Sequence, residues 1–197
     1  MWMKNFGHGM NNDLEQLPDN LPQPHDDEKF DHLVGITIPG ITLTSTEGIT
    51  DVSKIDSKYV VLYFFPMMSV PEKALPSGWD DIPGARGCTP QNITINEYIE
   101  DLQEYDVRVC GISTQPVDEL TELSLLRKLS QLLISDGSLK FQEHLQIPTF
   151  HVEDKTMYKR LTLIVKDSKI IKVFYPVFPP DTHIFEILEW VEDNSKS

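Results

Sequence analysis

Cysteine is scarce in this chain of 197 residues, which contains only Cys88 and Cys110. Two thiols cannot build a disulfide scaffold, and such rarity suits a reducing compartment, so the cytoplasm is the expected location. Positive charge is scarce as well: 17 Lys and Arg stand against 31 Asp and Glu, a formal net charge of −14. Nucleic acid and anionic membrane both require local positive charge. The basic residues form only isolated pairs such as Arg127-Lys128 and Lys159-Arg160, so neither partner is expected. Long apolar runs are missing too, and no stretch approaches the roughly 20 residues of a membrane helix. Met1–His8 carries no hydrophobic segment, so no secretory signal is expected. Asn92-Ile93-Thr94 matches a glycosylation sequon, which reads as chance without a secretory route.

What is present is enough apolar residue, 40%, for one well-cored domain. Residues 1–33 are polar, acidic and Pro-rich without periodicity, and an extended or partly disordered arm is expected there. The domain is expected over 34–197. It opens on short β-type pieces, Ile36-Thr-Ile38 and Ile41-Thr-Leu-Thr44, separated by Pro39-Gly40, which read as a hairpin or a pair of edge strands.

Tyr59–Phe65 is a continuous apolar and aromatic run, as suits a central parallel strand buried on both faces. Pro66 ends it. Residues 67–87 hold too many prolines and glycines for a regular element and are expected to form a long loop, a feature that is usually functional. Thr89-Pro90 reads as a helix start, with Thr89 as N-cap, and the apolar stripe from Ile93 to Leu102 carries that helix to about Tyr105. A strand over Val107–Ile112 and a helix over Pro116–Leu132 follow. Next come a short strand Leu132–Ser135, a helix near Ser138–Leu145, a hairpin of Arg160–Val165 with Lys169–Phe174, and a helix Ile184–Glu192. Parallel β-α-β units closed by a hairpin and a helix describe an α/β, thioredoxin-like sheet with extra N-terminal β-strands.

The chemistry centres on Pro83-Gly-Ala-Arg-Gly-Cys-Thr-Pro-Gln91. The thiolate is the nucleophilic form of cysteine. A helix N-terminus and a nearby guanidinium are two devices that favour it over the thiol, whose ordinary pKa is roughly 8.5. Cys88 has a helix start downstream and Arg86 two residues upstream. Its polar and turn-forming neighbours set it apart from the buried structural cysteine that is its bland alternative. Cys110 lies inside an apolar strand and reads as a packed core thiol, with a resolving cysteine as the alternative. Arg160 heads a strand: it is either an ordinary surface arginine or a guanidinium aimed at the thiolate. His144 and His151 read as solvated or capping residues, because no Asn or Asp orienter stands at a recognisable spacing.

Gly87-Cys-Thr-Pro-Gln91 at a helix start, preceded by Val60–Pro66, resembles the peroxidatic segment of peroxiredoxins, most closely the bacterioferritin-comigratory or Q-type branch. Val109–Thr114, Arg160–Val165 and Leu33–Gly48 resemble further family segments in the same order, so the likeness runs from about residue 30 to residue 193. The resemblance implies a thiol peroxidase without metal or other cofactor, acting on hydrogen peroxide or organic hydroperoxides. Cys88 takes the part of peroxidatic nucleophile and Arg160 that of the family's arginine. Gly87, Arg86, Thr89 and Pro66 are implied to bind substrate.

Two departures stand out. The family keeps its proline and hydroxyl residue close before the cysteine, whereas here Pro66 precedes Cys88 by 22 positions and Ala85 stands at the hydroxyl position. Ser69 or Thr89 is the candidate substitute, Arg86 a second cation and Pro83 a shield. Ile93 occupies the place where relatives often carry a resolving cysteine. A 1-Cys mechanism is therefore expected, with an external thiol (thioredoxin, glutaredoxin or glutathione) as reductant, in a monomer or homodimer. The alternative on the same fold is thiol–disulfide exchange or redox sensing.

Overall fold

A computed structural model describes residues 17–18, 20–25 and 30–195; much of the expected arm and the last two residues of the expected domain lie outside them. Among the described residues, no helix is long and apolar enough to cross a membrane.

Among the described residues, seven strands form one sheet: β1 Thr42–Ser45, β2 Gly48–Asp51, β3 Tyr59–Phe64, β4 Val107–Ser113, β5 Leu132–Ser135, β8 Leu161–Lys166 and β9 Lys169–Phe174. Their order is β2-β1-β5-β4-β3-β8-β9. Strands β3, β4 and β5 run parallel. The flanking pairs β1–β5, β1–β2, β3–β8 and β8–β9 are antiparallel. A parallel core with antiparallel edges follows from the sequence of linkers. Helices carry the crossovers, whereas two-residue turns close the hairpins.

Every side chain of β3 is buried, because the strand has packed layers on both faces. Val60, Leu62 and Phe64 enter one layer with Cys110, Phe141 and Tyr158. Tyr59, Val61, Tyr63 and Phe65 enter the other, together with Cys88. Helices α1 Cys88–Glu97, α2 Ile99–Gln103, α3 Val117–Arg127 and α5 His183–Ser195 cover the second face. Helix α4 Lys140–Leu145 covers the first. A separate hairpin, β6 Thr149–Val152 with β7 Lys155–Tyr158, stands outside the main sheet.

Four local expectations are corrected. Ile36-Thr37-Ile38 is not a strand: it contributes one bridge, Thr37 to Lys169, since Pro39 offers no N–H to extend a ladder. The N-terminal hairpin instead turns at Thr46-Glu47, where Gly48 takes φ +105° and the Ser45 hydroxyl accepts the Glu47 N–H at 3.1 Å. Helix α1 begins at Cys88 rather than after Thr89, and its cap is Gly87 in the left-handed region. The helix expected to reach Tyr105 breaks at Tyr98 into α1 and α2. Thr94, which returns its hydroxyl to the Pro90 and Gln91 carbonyls, is the kind of back-bonding residue that bends a helix. Helix α3 ends at Arg127, because Lys128 turns left-handed and frees Leu132 for β5.

Candidate active site

The site forms where the carboxyl end of β3, the first turn of α1 and the residue before β8 meet. Met68, just past β3, is held from both sides by Gln115. Its N–H donates to Gln115 Oε1 at 2.8 Å, and Gln115 Nε2 donates to its carbonyl at 3.1 Å. That clamp fixes the Met67 amide, which donates to Cys88 Sγ at 3.3 Å. The Pro66 carbonyl accepts from the Ser113 hydroxyl at 2.8 Å.

Gly87 positions the sulfur. Its φ is +98°, and a Cβ there would lie 2.5 Å from Pro180 Cγ and 2.6 Å from Leu17 Cδ2. Only glycine meets both demands. The first helical hydrogen bond runs from Gln91 N–H to the Gly87 carbonyl at 3.0 Å. The Cys88 and Thr89 amides therefore precede the ladder and have no partner within the helix. Pro90 falls in the same turn, where its missing N–H costs nothing.

Arg160 is buried, 3% exposed, and its guanidinium gathers the site. One terminal nitrogen donates to Gln91 Oε1. The other faces the carbonyls of Gly84, Ala85 and Arg86 at 3.3, 3.4 and 3.1 Å, and Cys88 Sγ at 3.2 Å. Cys88 Sγ is thus the target of a guanidinium and a backbone amide, two donors that complement negative charge on sulfur. The thiol can itself donate to the Ala85 carbonyl at 3.5 Å.

Met67, Ser69, Leu75, Trp79, Arg86, Gly87, Cys88 and Thr89 line a narrow cleft over the sulfur. Arg86 stands at this cleft with its guanidinium paired to Asp80 at 3.0 Å. The Ser69 and Thr89 hydroxyls are buried 2.9 Å apart. Behind α1, Asn92 donates to the Cys88 carbonyl at 2.8 Å and accepts from the Tyr63 hydroxyl at 2.7 Å. The sequon's Asn92 side chain is therefore sealed inside the core.

The structure brings together Cys88, Arg160, Gly87, Arg86 and Thr89, with Pro66 next to the amide that reaches the sulfur. It does not bring in Cys110. That thiol is fully buried in the opposite layer, and burial pushes it up to about 12. His144 and His151 are exposed, and neither lines the cleft. Sequence reasoning assigned no role to Gln91, Asn92 or Gln115. Gln91 was accessible, since three residues after Cys88 it lies on the same helix face. Gln115 was not, because its partner Met68 is 47 residues away in sequence.

Residues 33–188 match the redoxin family. The chain belongs to the redoxin family. This redoxin is 25% identical over 168 residues to peroxiredoxin Bcp of Bacillus subtilis, covering 83% of this chain and 97% of the relative. It is 26% identical over 160 residues to the chloroplastic peroxiredoxin Q of Sedum lineare, covering 80% and 77%. Among solved structures, peroxidoxin BcpB from Mycobacterium tuberculosis superposes with a TM-score of 0.64 at 22% identity, over 81% of this chain and 96% of that one. A Xanthomonas campestris peroxiredoxin Q gives 0.64 at 16% identity, over 82% and 98%. The redoxin thus has the thioredoxin-like α/β fold, and its relatives are those of the Q-type peroxiredoxin branch, as its sequence motifs indicated.

Proposed function

We propose that this redoxin is a thiol peroxidase in which Cys88 is the peroxidatic nucleophile and Arg160 the cation that serves it. The observation that carries this reading is the convergence of Arg160 Nη2 and the Met67 amide on one sulfur, at 3.2 and 3.3 Å. A thiolate lone pair attacks one peroxide oxygen, and the S–O bond forms as the O–O bond breaks. The departing oxygen keeps the bonding pair, takes a proton and leaves as water or alcohol. Sulfur is oxidised by two electrons to sulfenic acid, and the peroxide is reduced by two. Charge passes from sulfur to the departing oxygen, and donors already fixed around both atoms stabilise that transfer without reorganising. Arg160 and the first-turn amides at Gly87, Cys88 and Thr89 act as those donors. The Ser69–Thr89 hydroxyl pair takes the place of the hydroxyl that Ala85 cannot supply, and Arg86 and Pro66 complete the substrate side.

Resolution comes from outside. One external thiol condenses with the sulfenic acid to a mixed disulfide, releasing water, and a second releases Cys88 together with an external disulfide. Ile93 and the opposite-layer position of Cys110 support this 1-Cys course. Thioredoxin, glutaredoxin or glutathione would supply the thiol in the cytoplasm, to a monomer or homodimer. Ala85 favours a second reading, a redox sensor or exchanger that forms mixed disulfides quickly and meets peroxide slowly.

Peroxide consumption with dithiothreitol, glutathione or thioredoxin present tests the proposal. Cys88→Ser is expected to abolish it, and Arg160→Ala to lower it by roughly 10²-fold, as loss of a transition-state donor does. Wild-type protein that leaves peroxide untouched with all three reductants would refute it.

A further inference from the structure

Resting on the peroxidase reading, we infer that Leu75 and Trp79 set the substrate class: the site takes hydrogen peroxide and rejects hydroperoxides with a bulky carbon substituent. Both residues belong to the loop between β3 and α1, and the loop is held as a wall. Trp79 is 4% exposed and packs in a small core with Ala85, Val152 and Met157, its ring 6.1 Å from that of Phe150. The Ser77 amide donates to the Glu153 carboxylate at 3.0 Å, tying the loop to the β6–β7 hairpin. Lys73 pairs with Glu119 of α3 at 2.8 Å, and Arg160 holds the carbonyls of Gly84–Arg86. The loop is therefore anchored to α3, the hairpin and Arg160 at once.

What this wall leaves open is small. The cleft over Cys88 is narrow and opens to solvent, and its lining is apolar at Leu75, Trp79 and Met67 and polar at Ser69, Arg86 and Thr89. Gly87, also in that lining, is wedged between Pro180 and Leu17 with no space for even a Cβ. A peroxide must place one oxygen on the sulfur and the other among the donors. Any carbon on the second oxygen then has to pass Leu75 and Trp79. Hydrogen peroxide carries none, whereas a tertiary or aryl substituent must displace a buried indole.

Rapid-mixing rate constants of the reduced protein with hydrogen peroxide, tert-butyl hydroperoxide and cumene hydroperoxide test this. Wild type is expected to prefer hydrogen peroxide over cumene hydroperoxide by about 10²-fold, the scale of steric discrimination in a fixed pocket. Leu75→Ala, at a half-buried position, and Trp79→Phe, which keeps an aromatic ring in the small core, are each expected to narrow that ratio by about 10-fold. Equal rates for the three peroxides in wild type would overturn the inference and leave the peroxidase standing. A ratio unmoved in both folded variants would overturn it too. No reaction with any of the three would remove the peroxidase reading, and this inference with it.

Discussion

Arg160 is a permanently charged side chain in the core, and among the described residues none of its partners is a carboxylate. A buried cation left unpaired is costly, and Cys88 Sγ is the one partner able to carry the opposite charge. Gln91 holds the guanidinium in place through a neutral amide, so it directs the cation without competing for its charge. Gln91→Ala is expected to lower the peroxide rate constant about 10-fold, with the folded state retained by circular dichroism, because the donor loses its aim. Gly87→Ala puts a Cβ into Leu17 and Pro180 and a left-handed strain on the residue before the nucleophile. It is expected to destabilise the protein by about 1–3 kcal/mol in urea unfolding and to slow peroxide reduction. Cys88 was legible in the sequence, because turn residues and a helix start announce a reactive thiol locally. The facing of Arg160 toward it was left open there, since a strand-end arginine looks the same whether it faces solvent or a thiol. The cap shifted from Thr89 to Gly87 for a tertiary reason: the Thr89 hydroxyl is engaged by Ser69.

At the level of elements, long buried strands were readable from composition. Tyr59–Phe64 is buried on both faces and Val107–Ser113 nearly so, with Arg108 alone half-buried, and few other structures suit such runs. The β6–β7 hairpin was not readable: its strands are short and partly exposed, and they are fixed by the loop that packs on them. One attachment of that loop to α3, the Lys73–Glu119 pair, depends on the Glu119 charge. Burial alone would raise its pKa, but hydrogen bonds from Lys73 and Gln115 outweigh it and hold the carboxyl below its ordinary 4.5. A carboxylate depressed in the folded state stabilises above its unfolded value and loses that contribution as pH falls below it. Stability is therefore expected to decline as pH drops below about 4.5 toward the lower folded value. Glu119→Gln, which cannot titrate, is expected to lose part of that decline when urea midpoints at pH 7 and pH 3.5 are compared.

For the whole molecule, the sheet is a partition. One thiol belongs to the helix-covered layer that carries the cleft and the other to the layer behind it. Burial holds Cys110 up at about 12, so at neutral pH it stays protonated and inert. Reduced protein given one equivalent of hydrogen peroxide without external thiol is accordingly expected to form no Cys88–Cys110 disulfide by peptide mass, whereas a resolving thiol would form one. The α/β order and the sheet's parallel core were visible from the alternation of strands and helices along the chain. The placement of the two cysteines in different layers required the register of β3 against β4, in which Leu62 meets Cys110. The most direct measurement of all is dimedone trapping after the reduced protein meets one equivalent of hydrogen peroxide, read by peptide mass. One adduct, on Cys88 and absent from Cys88→Ser, is the expected result. Unmodified Cys88 with the peroxide still present, or an adduct on Cys110 instead, would contradict it.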